Sequence, residues 1–133
     1  MRRITLALAC ATMLLAGSAA VAAPKLTPEQ RLAKMLEGRE AGKPVSCLNN
    51  WDTRDMTVLD KTALVYRSGN TIWVNRPQNA RDLDDDDILV TRTSNSQLCR
   101  LDIVQTVDRT GGFMTGFVNL SDFVPYKKVT PAN

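Results

Sequence analysis

The side chains in this sequence that could do chemistry are mainly acidic. There is no histidine, so catalytic pairs of serine or cysteine with histidine, and metal sites built on histidine, are excluded. Carboxylates, lysines and hydroxyls remain, and no spacing among them identifies an activated nucleophile or a phosphate-binding loop. We therefore expect a non-enzymatic protein that uses no cofactor. A hydrolase that depends only on carboxylates is the alternative from the enzyme class.

An acidic run between positions 82 and 87 is the most unusual charged feature. Asp82, Asp84 and Asp86 alternate, and alternate carboxylates can chelate a hard cation such as calcium. An EF-hand loop, however, needs glycine where Asp87 stands. Charges this dense are also typical of a solvated loop, and Asp85 and Asp87 could instead contact a basic partner protein. The calcium site, the docking surface and the solvated loop all remain open.

The amino terminus has the three parts of a secretory signal. Arg2 and Arg3 precede an apolar run at 4–16, and small residues follow at 20–22. The apolar run is shorter than the ~20 residues that span a bilayer. The pattern predicts a signal peptide over 1–22, cleavage after Ala22, and a periplasmic or secreted protein with no membrane span after cleavage.

Two cysteines remain once the predicted signal, with Cys10, has been removed. They are Cys47 and Cys99, and the predicted destination is oxidising. Pairing them is the simplest interpretation. A bridge that closes a loop of this size stabilises a domain by about 4 kcal/mol in the chain-entropy description.

The charge of the mature chain is close to neutral. Removal of the signal lowers the number of basic residues from 17 to 15, against 14 acidic ones. This balance gives no electrostatic reason to expect a nucleic acid or an anionic membrane as partner. The remaining stretch, 23–133, is long enough for one domain.

The first element of the mature chain is a predicted helix. Thr27 can cap its start, Pro28 suits its first turn, and Gln30 completes a capping box. An apolar stripe follows at helical spacing. Gly38 or Gly42 can end the helix, so we assign 23–44 to a helix and its connector.

The rest of the chain, 45–133, is predicted as a single β-rich domain. The clearest element is a hairpin in which Gly69-Asn70 forms the turn, Tyr66 faces Trp73 and Val65 faces Val74. Further predicted strands cover 45–49, 56–59, 88–93, 98–107 and 113–120. These elements predict a mainly β fold, either a small antiparallel sheet or a partly closed barrel of about six strands, with one N-terminal helix.

Two tryptophans are further candidates for ligand binding, and one aspartate is a candidate for a structural role. Trp51 and Trp73 could belong to an exposed binding face. Asp102 is expected to cap a turn or to hold Arg100 or Arg54.

Several segments together carry a resemblance to a known family. They are Gly38-Arg39-x-Ala41-Gly42-x-Pro44 followed by Cys47, Val65-Tyr66 and Asn75-Arg76 in the hairpin, 83–91, Leu98-Cys99-x-x-Asp102, and Phe123-Val124-Pro125-Tyr126. In these segments the chain resembles small exported bacterial proteins that share a domain of unknown function. The resemblance implies export and a Cys47–Cys99 bond, and it implies no activity. Members often carry a second cysteine pair, at positions that are Ala80 and Val118 here, so that second bridge would be absent.

These observations favour a small binding module of the cell envelope that recognises a protein or a cell-wall component. Within the binding class, the alternative is an inhibitor of a basic secreted hydrolase such as a lysozyme, which would dock on the acidic run.

Overall fold

The structure is a computed structural model that describes residues 22–93 and 95–130. Apart from Ala22, the predicted signal peptide lies outside the described residues, and so does Cys10. None of the helices in the described part of the chain is long and apolar enough to cross a membrane.

The predicted fold class is confirmed, because the chain is mainly β with one N-terminal α-helix, α1 (Pro28–Met35). A short 3-10 helix covers Ala80–Asp82. The described residues form ten strands, more than the six or so predicted, and the sheets do not close into a barrel. The strands are β1 (Arg39–Ala41), β2 (Cys47–Asn49), β3 (Asp55–Leu59), β4 (Ala63–Ser68), β5 (Thr71–Asn75), β6 (Ile88–Thr91), β7 (Gln97–Cys99), β8 (Ile103–Val107), β9 (Met114–Asn119) and β10 (Phe123–Lys128).

The largest sheet has five antiparallel strands in the order β1-β10-β5-β4-β3. The β4–β5 hairpin has the predicted register, with Tyr66 opposite Trp73 and Val65 opposite Val74. Gly69 has φ +54°, a value that glycine reaches without strain, and it therefore allows the two-residue turn. Strands β1 and β10 were not predicted. They pair with each other, so the connector after the helix is part of the sheet.

One face of this sheet is covered by α1. The Thr27 side chain accepts a hydrogen bond from the Gln30 backbone N–H, and the Gln30 side chain accepts one from the Thr27 backbone N–H, which confirms the capping box. Leu32 is the buried residue of the helix, and it packs with Val65 and Val74 of the sheet. The helix is short and depends on this packing for stability.

The opposite face of the five-stranded sheet packs on two smaller sheets. One is β2–β7 and the other has the order β6-β8-β9. Leu64, Phe123, Leu98, Val104 and Val118 form much of the shared core. The interior strand β4 is therefore covered on both faces, which explains its continuous apolar run.

The predicted disulfide is present. Cys47 and Cys99 are bonded across 52 residues of sequence and lie directly opposite each other in the β2–β7 pair. A turn divides the predicted strand 98–107 into two strands, β7, which ends at Cys99, and β8. Asp102 stabilises that turn, because its carboxylate accepts a hydrogen bond of 2.7 Å from the Cys99 backbone N–H. Asp102 thus has the predicted capping role, while Arg100 pairs with Asp122.

The segment that follows the β4–β5 hairpin is held against β9 by hydrogen bonds of one asparagine side chain. The Asn79 side chain donates to the Phe117 carbonyl at 2.7 Å and accepts from the Asn119 backbone N–H at 2.8 Å. These bonds hold Ala80 beside β9, and Ala80 packs on the core cluster that contains Val118. Side-chain hydrogen bonds therefore tie this segment to β9.

Candidate functional site

Strand pairing stops at two edges on the same side of the molecule. Strand β3 ends the five-stranded sheet and pairs only with β4, while β6 ends the three-stranded sheet and pairs only with β8. Within 22–93 and 95–130, residues 55–58 and 88–91 form no backbone hydrogen bond beyond those two pairings. Each strand therefore presents unpaired N–H and C=O groups along its outer edge.

A groove separates these two edges, and we call it the edge groove. It consists of two adjoining cavities of about 470 and 500 Å³, which share Met56 and Leu89 as lining residues. The groove is lined by Asn50, Thr53, Arg54, Met56, Thr57 and Val58 on the β3 side, by Asp85, Asp87, Ile88, Leu89, Thr91 and Thr93 on the β6 side, and by Tyr66, Leu98, Val104 and Arg109.

The two strands run in opposite directions along the groove. The first cavity contains Arg54 from the start of β3 and Thr91 from the end of β6. The second contains Val58 near the end of β3 and Ile88 at the start of β6. A straight segment in the groove would therefore be antiparallel to one wall and parallel to the other.

Buried apolar side chains line the first cavity. Leu98 and Val104 are buried there, and Tyr66 is only 2% exposed. The Tyr66 ring meets Phe123 edge to face, with ring centroids 5.9 Å apart, which fixes the ring. Burial raises the pKa of the Tyr66 hydroxyl above its ordinary range, because the apolar surroundings disfavour the charged form.

Cationic and aromatic groups mark one end of the groove. The Arg54 guanidinium lies 3.9 Å from the centre of the Trp51 ring, a cation–π contact that orients the charge. Arg54 lines the first cavity, and Trp51 is 73% exposed beside it. The sequence indicated Trp51 as a binding candidate, and the structure places it next to this end of the groove.

The opposite end of the groove is acidic. Asp85 and Asp87 line the second cavity, so two of the predicted binding residues face the same groove. Asp87 accepts a hydrogen bond of 2.7 Å from the Thr115 hydroxyl, which fixes its carboxylate. Arg109 also lies here and donates to the Asp86 carbonyl at 3.1 Å. Asp84 and Asp86 are neighbours of Asp85 and Asp87 in the sequence. The net charge at this end of the groove is therefore negative despite Arg109.

The carboxylates that lie close together in the structure differ from the alternating aspartates that were predicted as calcium ligands. In the described residues, one group of three carboxylates has oxygens within 4.8 Å of one another, and it consists of Asp60, Asp84 and Asp85. Of the predicted ligands Asp82, Asp84 and Asp86, this group contains only Asp84. Asp82 accepts a hydrogen bond from the Asn79 side chain, while the Asp86 backbone N–H donates to Asp84.

Trp73, the remaining predicted binding residue, packs against the core opposite Tyr66 and is not among the groove residues. Its indole Nε1 is buried and has no hydrogen-bond partner among the described residues. Sequence reasoning missed Met56, Leu89 and Arg54. Strand spacing assigned Met56 to a strand, but spacing alone does not show which strand lies at an edge.

A second exposed surface lies on the outer face of the three-stranded sheet. Ile103, Met114 and Phe117 are all about half exposed there. None of these three residues lines the groove. They are exposed and apolar, as Met56 is, and therefore provide control positions outside the groove.

Comparison of the chain with protein-family models, curated proteins and solved structures finds no match. The resemblance stated from the sequence therefore stays a prediction.

Proposed function

We propose that this chain is an exported, non-enzymatic binding module that holds an extended segment of a partner protein in the edge groove. The observation that carries the proposal is the pair of unpaired strand edges facing one cleft. An extended polypeptide satisfies such edges through regular main-chain hydrogen bonds, which is how strand addition recognises peptides.

The pairing partner in this proposal is β3, with β6 forming the opposite wall. Strand β3 belongs to the five-stranded sheet, and its neighbour β4 is buried on both faces. A rigid sheet lowers the entropy cost of ordering a new strand on its edge. Each main-chain hydrogen bond contributes about 0.5–1.5 kcal/mol, and apolar side chains of the ligand would add contacts with Met56 and Leu89.

The proposed location is the periplasm or the extracellular space. The predicted signal peptide supports it, and so does the Cys47–Cys99 bond, because disulfides persist in oxidising compartments. The partner would then be another envelope or secreted protein.

Inhibition of a basic secreted hydrolase is a second candidate function. Asp85 and Asp87 at one end of the groove favour it, since a basic partner would be attracted there. In that case an extended loop of the hydrolase would occupy the groove.

Selection from a random peptide library tests the proposal and does not require the natural partner. Phage-displayed random heptapeptides are panned on the mature chain, and the enriched peptides are synthesised and titrated. We expect Met56→Arg to weaken their binding at least tenfold, because the long, charged arginine side chain would occupy the junction of the two cavities.

Met114→Arg is the matched control, since it makes the same change at an exposed methionine outside the groove. It should leave affinity unchanged, and circular dichroism should show that both variants are folded. Failure to enrich any peptide contradicts the proposal. Equal binding by both variants, or loss in Met114→Arg alone, also contradicts it.

A further inference from the structure

The two ends of the edge groove carry opposite charge, and this polarity bears on which ligand fits. Asp85 and Asp87 lie at the end where β3 finishes, and Arg54 lies at the end where β3 starts. The charges are held in place, because Arg54 stacks on Trp51 and Asp87 is hydrogen-bonded by Thr115.

The direction of a bound strand follows from strand pairing and, independently, from charge. Antiparallel pairing is slightly more stable per residue than parallel pairing, so a strand added to β3 should start near Val58 and finish near Arg54. A peptide chain carries its positive α-amino group at the start and its negative carboxylate at the finish. Pairing and charge favour the same orientation, because the start of an antiparallel strand would lie beside Asp85 and Asp87.

We propose that the groove selects an extended segment that runs antiparallel to β3, with a basic residue or free amino terminus beside Asp85 and Asp87 and an acidic residue or carboxyl terminus beside Arg54. This inference rests on the proposed function and adds the orientation and charge pattern of the ligand. The segment between its charged ends has apolar side chains that contact Met56 and Leu89.

Arg109 is the one cation that shares the acidic end among the residues lining the groove. Its Nε donates to the Asp86 carbonyl, so part of the guanidinium is engaged with the protein itself. The four aspartates from Asp84 to Asp87 outnumber it, and a basic ligand residue therefore meets a net negative field.

The first test is the charge pattern of heptapeptides selected on the mature chain. We expect Lys or Arg to be enriched in the first two positions and Asp or Glu in the last two. For the tightest peptide, a synthetic version with the two charged ends exchanged should bind about tenfold more weakly at low ionic strength. The difference should shrink as salt is added, because exposed charges are screened within about 10 Å at 0.1 M.

Protein variants assign the effect to its residues. In Asp85→Asn/Asp87→Asn the preference for a basic start should disappear, and in Arg54→Gln the preference for an acidic end should disappear. Glu40→Gln is the control, since Glu40 is an exposed acidic residue of β1, at the other edge of the five-stranded sheet, and is not among the groove residues. It should keep both preferences.

The outcomes separate this inference from the proposed function. Peptides that depend on Met56 but show no charge pattern, or the reverse pattern, overturn the inference and leave the groove as the binding site. A pattern that persists in Asp85→Asn/Asp87→Asn also overturns it. Absence of any enriched peptide overturns the proposed function as well.

Discussion

Strands β4 and β3 are neighbours in one sheet, yet their surroundings differ sharply. Residues 63–66 of β4 are at most 2% exposed, with hydrogen-bonded strands at both edges and packed layers on both faces. Strand β3 pairs on one edge only, and Met56 is 37% exposed. The contrast indicates that the interior strand β4 provides stability, whereas the edge strand β3 keeps hydrogen-bonding capacity for a ligand.

Removal of the disulfide should have the largest effect on the stable region. The bond holds β2 to β7, whose Leu48 and Leu98 pack in the core beneath the groove. Cys47→Ala/Cys99→Ala should lower the free energy of unfolding by about 4 kcal/mol, because the unfolded chain gains the entropy of an open loop. Denaturant titration measures this loss, and a decrease below about 1 kcal/mol would contradict the prediction.

Truncation of one side chain in each strand tests the comparison directly. Leu64 of β4 is fully buried, and Leu64→Ala should cost about 3 kcal/mol through lost burial and the cavity that remains. Met56→Ala at the open edge should cost less than about 1 kcal/mol, since solvent already reaches the side chain. Equal losses in thermal or urea unfolding would refute the distinction.

The pH dependence of stability should reveal the burial of Tyr66. Because burial raises the pKa of this hydroxyl in the folded state, the unfolded chain loses its proton first, near its ordinary pKa of about 10. The stabilising contribution is therefore complete below about pH 10 and falls as pH rises above it. Tyr66→Phe should unfold with a weaker pH dependence between about pH 10 and 11. An unchanged profile would show that Tyr66 titrates freely.

The smallest effect is expected where the helix meets β5 at the surface. Arg76 donates two hydrogen bonds to Glu29, at 2.7 and 3.0 Å, and lowers the pKa of that carboxyl. Both side chains are exposed, so Glu29→Gln should cost less than about 1 kcal/mol. The stabilisation should be present above the ordinary pKa of glutamate, about 4.5, and fade as pH falls through the lowered value. A larger loss at neutral pH would mean that α1 depends on this ion pair rather than on Leu32.

Local patterns were sufficient to predict the elements whose conformation is decided locally. The capping box of Thr27 and Gln30 fixed the helix start, and the Gly69-Asn70 turn fixed the hairpin register. Strand β10 was missed because Pro125 interrupts its pattern. The strand accommodates this proline because Pro125 lies just before the residues that pair with β1, where its carbonyl accepts a hydrogen bond from the Gly42 N–H.

The site was only partly predictable. Charge density identified Asp85 and Asp87, and the possible exposure of a large aromatic residue suggested Trp51. Which strands end their sheets is a property of topology, so neither the edge of β3 nor its position opposite β6 could be derived from residue spacing. The split of 98–107 by the Asp102 turn depends in the same way on the pairing of Cys99 with Cys47.

Amide hydrogen exchange with and without a saturating selected peptide most directly tests whether β3 gains a strand. In the free protein, the β3 amides that point away from β4 should exchange quickly, while those of β4 should be slow. Peptide binding should slow these β3 amides at least tenfold, over times at which the β4 amides have not yet exchanged in either state. Saturating peptide that leaves β3 exchange unaltered, or that protects only the outer face of the three-stranded sheet, would contradict strand addition in the edge groove.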